Sequence, residues 1–279
     1  MNELTVETLE LKSIQYRRKV LSIIKKAKAG HTGGSLSAVD ILNVLYNRIL
    51  NVSPETFSDD DRDRYIQSKG HSVEALYTVL ADKGFYPEEA LDSLNQYQSH
   101  FIGHPTRKVN GIEQNTGALG HGLPIAVGTA LAAKKDGRLY RVFTLLGDGE
   151  LEEGSNWEAS MAAAHYGLDN LVVIVDYNKL QITGPVDTVT GVTHLREKFT
   201  AFGYAVREVN GNDIPELLDI FDQLPFEPGK PNLILAHTTK GKGISFIENQ
   251  VSWHHHVPSD DEFAKAMLEL DAAEQACGR

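Results

Sequence analysis

The chain has 279 residues, of which 27 are basic and 38 acidic, giving a formal net charge of −11. With no Lys- or Arg-rich stripe, that balance excludes the electrostatic footprint of a nucleic-acid binder, and 41% hydrophobic with 23% charged residues is an ordinary globular composition. The one cysteine, Cys277, excludes an intrachain disulfide and suits a reducing compartment.

The first residues, Met1-Asn2-Glu3-Leu4-Thr5, lack the basic-then-apolar order of a signal peptide. No apolar run reaches the ~20 residues that span a bilayer, so no membrane partner and a cytoplasmic location are expected. Residues 5–29 read as a long helix with Ile14, Val20, Leu21 and Ile24 on one side, stopping at Gly30. Ser35 to Leu50 reads as a second helix. Tyr65-Ile66-Gln67 is a short strand that runs into Ser68-Lys69-Gly70-His71, and a helix follows to Lys83. Residues 84–115 look loop-rich, with turn signals at Gly84, Pro87, Gly103 and Gly111. A glycine-punctuated turn, Thr116 to Gly122, opens an Ala-rich helix that ends near Gly137.

Val142–Leu146 and Leu171–Val175 read as buried strands with a helix between them. Ser155 and Glu158 have the spacing of a capping box at that helix's start, and Gly167 ends it. Tyr204–Val209 and Asn232–Thr238 are further strands, with a helix near 213–223 between them; 249–258 is a loop and 261–276 a terminal helix. Alternating strands and helices predict an α/β fold, a parallel sheet with helices on both faces, and no linker divides residues 1–279 into separate domains.

The chemistry concentrates at Gly147-Asp148-Gly149, thirty positions before Asn178. The turn after a strand is where open α/β sheets bind ligands. Gly147 permits a sharp turn, and Gly149 lets the backbone approach a phosphate. Asp148 and Asn178 offer hard oxygen ligands suited to Mg²⁺ or Ca²⁺, with diphosphate oxygens, water and a backbone carbonyl just past Asn178, that of Leu180, as the remaining ligands. Four histidines, His31, His71, His104 and His254, sit in glycine- or proline-bearing loops; His255 competes with His254 within the run 254–256. His165, His194 and His237 have no motif around them and read as structural.

The Gly-Asp-Gly with its distant Asn resembles the thiamine diphosphate motif, with Tyr177 in place of the usual first Asn. The wider run Gly147-Asp148-Gly149-Glu150-Leu151-Glu152-Glu153-Gly154 resembles a transketolase. So do Ala29–Gly34, Asp61–Arg64, Ser68–His71, Gly103–Pro105, Thr116–Gly122, Thr238–Gly243 and Trp253-His254, all in the family's order. Ala118 stands where that family has Pro, and His121 where it has Gln.

The resemblance implies thiamine diphosphate and Mg²⁺ as cofactors, with Ca²⁺ or Mn²⁺ able to replace the metal. It implies that Asp148, Asn178 and Leu180 hold the metal, and that His71, Gly117, Ala118, Leu119, Gly149 and His254 contact the cofactor. His31, His104 and His254 would bind the sugar and aid proton transfer, and Glu153 and Glu158 would lie near the interface between active sites. The implied reaction is transfer of a two-carbon ketol unit from a ketose to an aldose, phosphorylated or otherwise anionic. Transketolases are about twice this length. The chain therefore resembles the N-terminal subunit of a split transketolase, inactive without a C-terminal, pyrimidine-binding partner, two copies of each forming a heterotetramer. Two rivals remain open at this point: the alpha chain of a 2-oxo acid dehydrogenase, and a catalytically silent regulatory module.

Overall fold

Helical repeats and apolar runs alternate along the chain, and a computed structural model describes residues 4–278. Met1, Asn2 and Glu3, on which the signal-peptide reading partly rests, and Arg279 lie outside the described residues. The chain opens with helix α1 (Val6–Ala27), capped by the Thr5 hydroxyl and ended by Lys28 in the left-handed region. Next come α2 (Thr32–Val44), β1 (Arg64–Gln67), α3 (Val73–Asp82), α4 (Gly122–Lys135), β2 (Val142–Gly147), α5 (Gly154–His165) and β3 (Leu171–Tyr177). The second half adds a two-residue pair, β4 (Leu180–Gln181) and β5 (Gly184–Pro185), then α6 (Val186–Val189), α7 (Leu195–Ala201), β6 (Ala205–Asn210), α8 (Ile214–Asp222), β7 (Asn232–His237) and α9 (Asp260–Cys277).

Five strands form one sheet in the order β1-β2-β3-β7-β6, every neighbouring pair parallel. A parallel sheet is covered on both faces, and here the side-chain alternation of the strands supplies both. Phe143, Leu145, Val172 and Ile174 point into a core shared with α1, α2, α3, α8 and α9. Val142, Leu146, Leu171, Val173 and Val175 point into a second core with α4, α5 and α7. The sheet's carboxyl edge is thereby held rigid from both sides. Among the described residues no helix is long and apolar enough to cross a membrane.

Two local expectations differ from the structure, and other segments add to what the sequence indicates. Helix α2 starts at Thr32, not Ser35, and all its residues are buried. Gly33 and Gly34 join it, and at Gly33 the packing demands glycine: a Cβ there would lie 2.9 Å from the Trp253 carbonyl oxygen and 3.1 Å from Lys240. The capping box at Ser155 is absent. Glu153 is the N-cap, and the Ser155 hydroxyl donates instead to the Gly120 carbonyl at 2.7 Å. Residues 186–201 contain two short helices that no periodicity announced. Residues 84–115 stay irregular apart from a 3-10 turn at Glu88–Ser93, yet they bury Leu91, Leu94, Val109 and Ile112. At α9 the local signal is stronger than periodicity alone indicates: Ser259 and Glu262 form a full capping box.

Candidate active site

The carboxyl ends of β1, β2, β3 and β7 open into a cleft of about 260 Å³. Strand β2 delivers Asp148, the N-cap of a 3-10 turn over Gly149–Glu152. Its carboxylate accepts hydrogen bonds from the backbone N–H of Gly149 at 2.8 Å and from that of Lys179. Asp148 is 2% exposed and, among the described residues, has no ion-pair partner. Burial, with the neighbouring Asp176 charge, pushes its carboxyl up to about 7. Strand β3 delivers Asn178, whose Oδ1 accepts from the Leu180 N–H at 3.1 Å. Lys179, in the left-handed region at φ 66°, turns the chain so that both backbone contacts form. The Leu180 carbonyl faces the same cleft and accepts from Lys240 Nζ at 3.0 Å.

A buried carboxylate with no cation is costly, and the cost disappears when a metal ion takes its charge. No group of three His, Cys, Asp or Glu among the described residues could hold a metal. The cleft's own donors, the Asp148 carboxylate, the Asn178 amide and the Leu180 carbonyl, are hard oxygens, and they fit a hard cation that takes its remaining oxygens from a bound anion. Part of the anion's neutralising charge is in place. Lys69 and Lys240 line the cleft, each 1% exposed. Lys69 is paired with Asp176, which also accepts from the Ser37 hydroxyl at 2.6 Å and from Thr238. Burial pushes the Asp176 carboxyl up, but Lys69 and these hydrogen bonds outweigh it and hold it below its ordinary value. Burial and the Lys69 charge bring Lys240 down to about 8.

Glu150 ties two loops together. It accepts from the N–H of Gly147 at 3.1 Å, the N–H of Gly120 at 2.9 Å and the Ser68 hydroxyl at 2.5 Å. The 117–122 loop is thus fixed over the Gly-Asp-Gly turn. Gly117 has φ 130°, and a Cβ there would overlap the His104 ring. Gly117, Leu119 and Gly149 line the cleft; Ala118 does not, and its carbonyl faces the exposed His121 at 3.2 Å.

The four singled-out histidines converge. His31 precedes α2, its backbone N–H held at 3.2 Å by the buried Glu74, whose carboxyl burial pushes up to about 7. The His31 ring lies 5.5 Å from that of His71, 5.9 Å from His104 and 5.8 Å from His254. Burial lowers all four, His31 to about 4, His254 to about 3 and His71 well below its ordinary value, so all are neutral imidazoles near neutrality. The run 254–256 divides. His254 stacks on His71 at 5.3 Å inside the cleft. His255 is exposed at the mouth, edge-on to His31 at 4.4 Å. His256 turns away to Glu262 at 3.1 Å.

Glu153 and Glu158 are exposed around the start of α5 and do not line the cleft. Sequence reading missed Lys69, Lys240, Asp176 and Glu150. Both lysines lie inside the glycine-bearing motifs, but a motif lysine alone does not announce a role. Asp176, an acid inside an otherwise apolar buried strand, is a signal that a partner cation waits nearby.

Residues 10–275 match the family model described as "Transketolase, thiamine diphosphate binding domain". The chain is similar to a subunit of the apulose-4-phosphate transketolase of Phocaeicola vulgatus, 47% identical over 265 residues, covering 95% of this chain and 94% of that protein. It is also similar to the 6-deoxy-6-sulfo-D-fructose transketolase subunit SqwG of a Clostridium species, 39% identical over 256 residues, covering 91% of this chain and 93% of that one. Among solved structures, the transketolase of Campylobacter jejuni aligns with a TM-score of 0.86 at 30% identity, covering 96% of this chain and 45% of that one.

Proposed function

The chain belongs to the transketolase family, matching its thiamine diphosphate-binding domain; from that footing we propose that it is the diphosphate-binding subunit of a two-chain transketolase. It would transfer a ketol unit from an anionic ketose to an aldose in the cytoplasm, with a pyrimidine-binding partner, two copies of each. The observation that carries the reading is the buried Asp148, without a cation, beside Asn178 and two buried lysines at the sheet's carboxyl edge.

Asp148, Asn178 and the Leu180 carbonyl would hold Mg²⁺, which neutralises a diphosphate and fixes its place. Lys69, Lys240 and His71 would surround the diphosphate itself, with Gly117 and Leu119 covering it. When bound, thiamine diphosphate supplies the electron sink that cleavage beside a carbonyl requires. The chain's own residues bind, orient and exclude water. Neutral imidazoles of His31, His104 and His254 meet the sugar oxygens, where proton movement near neutrality is needed.

The partner reading is supported by two relatives that are named as subunits and that the chain covers almost end to end. Both are named for sugars carrying an anionic group, which supports a phosphorylated or sulfonated substrate. Apulose 4-phosphate is the first substrate to try. The chain would be co-purified with a pyrimidine-binding chain from the same genome and assayed for ketol transfer with thiamine diphosphate and Mg²⁺. Turnover by the complex and none by either chain alone is expected. Oxidative decarboxylation of pyruvate in place of ketol transfer would overturn the reading.

A further inference from the structure

We propose that Lys240 fixes His254 in the tautomer carrying its proton on Nε2, so that His254 meets the sugar as a hydrogen-bond donor and not as the base. The inference rests on the sugar-transfer reading only for what the donor meets.

Lys240 Nζ lies 2.9 Å from His254 Nδ1 and 3.0 Å from the Leu180 carbonyl oxygen. An ammonium has three hydrogens and no acceptor site. Both neighbours must therefore accept, and the imidazole can accept at Nδ1 only if that nitrogen carries a lone pair. The remaining proton is on Nε2. Nε2 has no hydrogen-bond partner among the described residues, and the ring lines the cleft, so the N–H is free for a ligand. A half-turn of the ring would keep its stack on His71 but set Cδ2, which cannot accept, against Lys240 Nζ, so the hydrogen bond to Lys240 holds the orientation. Burial, with the Lys240 charge and the neighbouring His31, also disfavours a second proton and holds the group neutral. Lys240 is thus a positioning residue for His254. Removal of a sugar hydroxyl proton then falls to His31 or His104; no hydrogen-bond donor is bonded to either ring among the described residues.

Two measurements test this. In the metal-free chain labelled with ¹⁵N-histidine, long-range ¹H–¹⁵N correlation should show His254 with a bare Nδ1 and a protonated Nε2, and Lys240→Met should move Nδ1 toward the protonated position. A protonated Nδ1 in the wild-type chain overturns the proposal. In the complex with its pyrimidine-binding partner, His254→Gln places an amide N–H where Nε2–H stood but supplies no base. It should keep turnover within about tenfold of wild type, while His254→Ala loses about a hundredfold. Equal losses in the two variants would show that a base was needed and overturn it. A wild-type complex without ketol transfer would sink the functional reading alone, leaving the tautomer to the NMR result.

Discussion

Asp148 is a carboxylate built for a charge it does not itself balance. Unfolded, it ionises near 3.8; folded and metal-free, near 7. Between those values the folded chain keeps a proton that the unfolded chain has lost. Stability of the metal-free chain therefore falls as pH rises from about 4 to about 7, then levels off. Asp148→Asn removes that penalty, and at pH 8 without metal the variant should be more stable than wild type by roughly 1–3 kcal/mol in denaturant melts. It should gain nothing from added Mg²⁺. In the wild-type chain Mg²⁺ must displace the proton, so metal affinity should weaken as pH falls below 7, as calorimetry at pH 6 and 8 would show. Asp148 and Asn178 were legible because their spacing spans a strand–helix–strand unit. The pairing of Lys69 with Asp176 was not, because it joins residues 107 positions apart across the sheet.

At the scale of elements, period and turn chemistry recovered the long helices and all five sheet strands, whose apolar runs sit between glycine-bearing turns. Misses came where tertiary contacts overrode a local signal. Ser155 had a capping partner at the right spacing, but the Gly120 carbonyl competed for its hydroxyl. Gly33 and Gly34 precede the expected start at Ser35 and are helical, and their missing side chains admit Lys240, Trp253 and His71. Residues 186–201 lack a sustained period and fold against neighbours. The 117–122 loop shows why the cleft needs glycine. Gly117→Ala should strain a backbone at φ 130° and push on His104, costing roughly 1–3 kcal/mol. Cofactor affinity should fall about tenfold or more by fluorescence titration, with the Asp148 site intact.

At the scale of the molecule, two cores clamp one sheet and leave its carboxyl edge as a cleft of buried charge and neutral imidazoles. The lysines there face the place of the diphosphate and are already bonded to Asp176, His254 and carbonyls, so neither is left for a sugar's anionic group, and the chain's net charge is −11. The isolated chain should therefore bind the cofactor but turn over no sugar, and activity should rise in proportion to added partner until the two are equimolar. Glu153 and Glu158, exposed beside the cleft and not in it, are expected to act only once that assembly forms.

Whether Asp148 and Asn178 grip a divalent cation that tethers a diphosphate is measured directly by titration calorimetry of the purified chain with thiamine diphosphate, in Mg²⁺ and in chelator. Saturable, Mg²⁺-dependent binding that Asp148→Ala and Asn178→Ala each abolish is the expected result; tight binding that persists in chelator, or in both variants, would contradict the account.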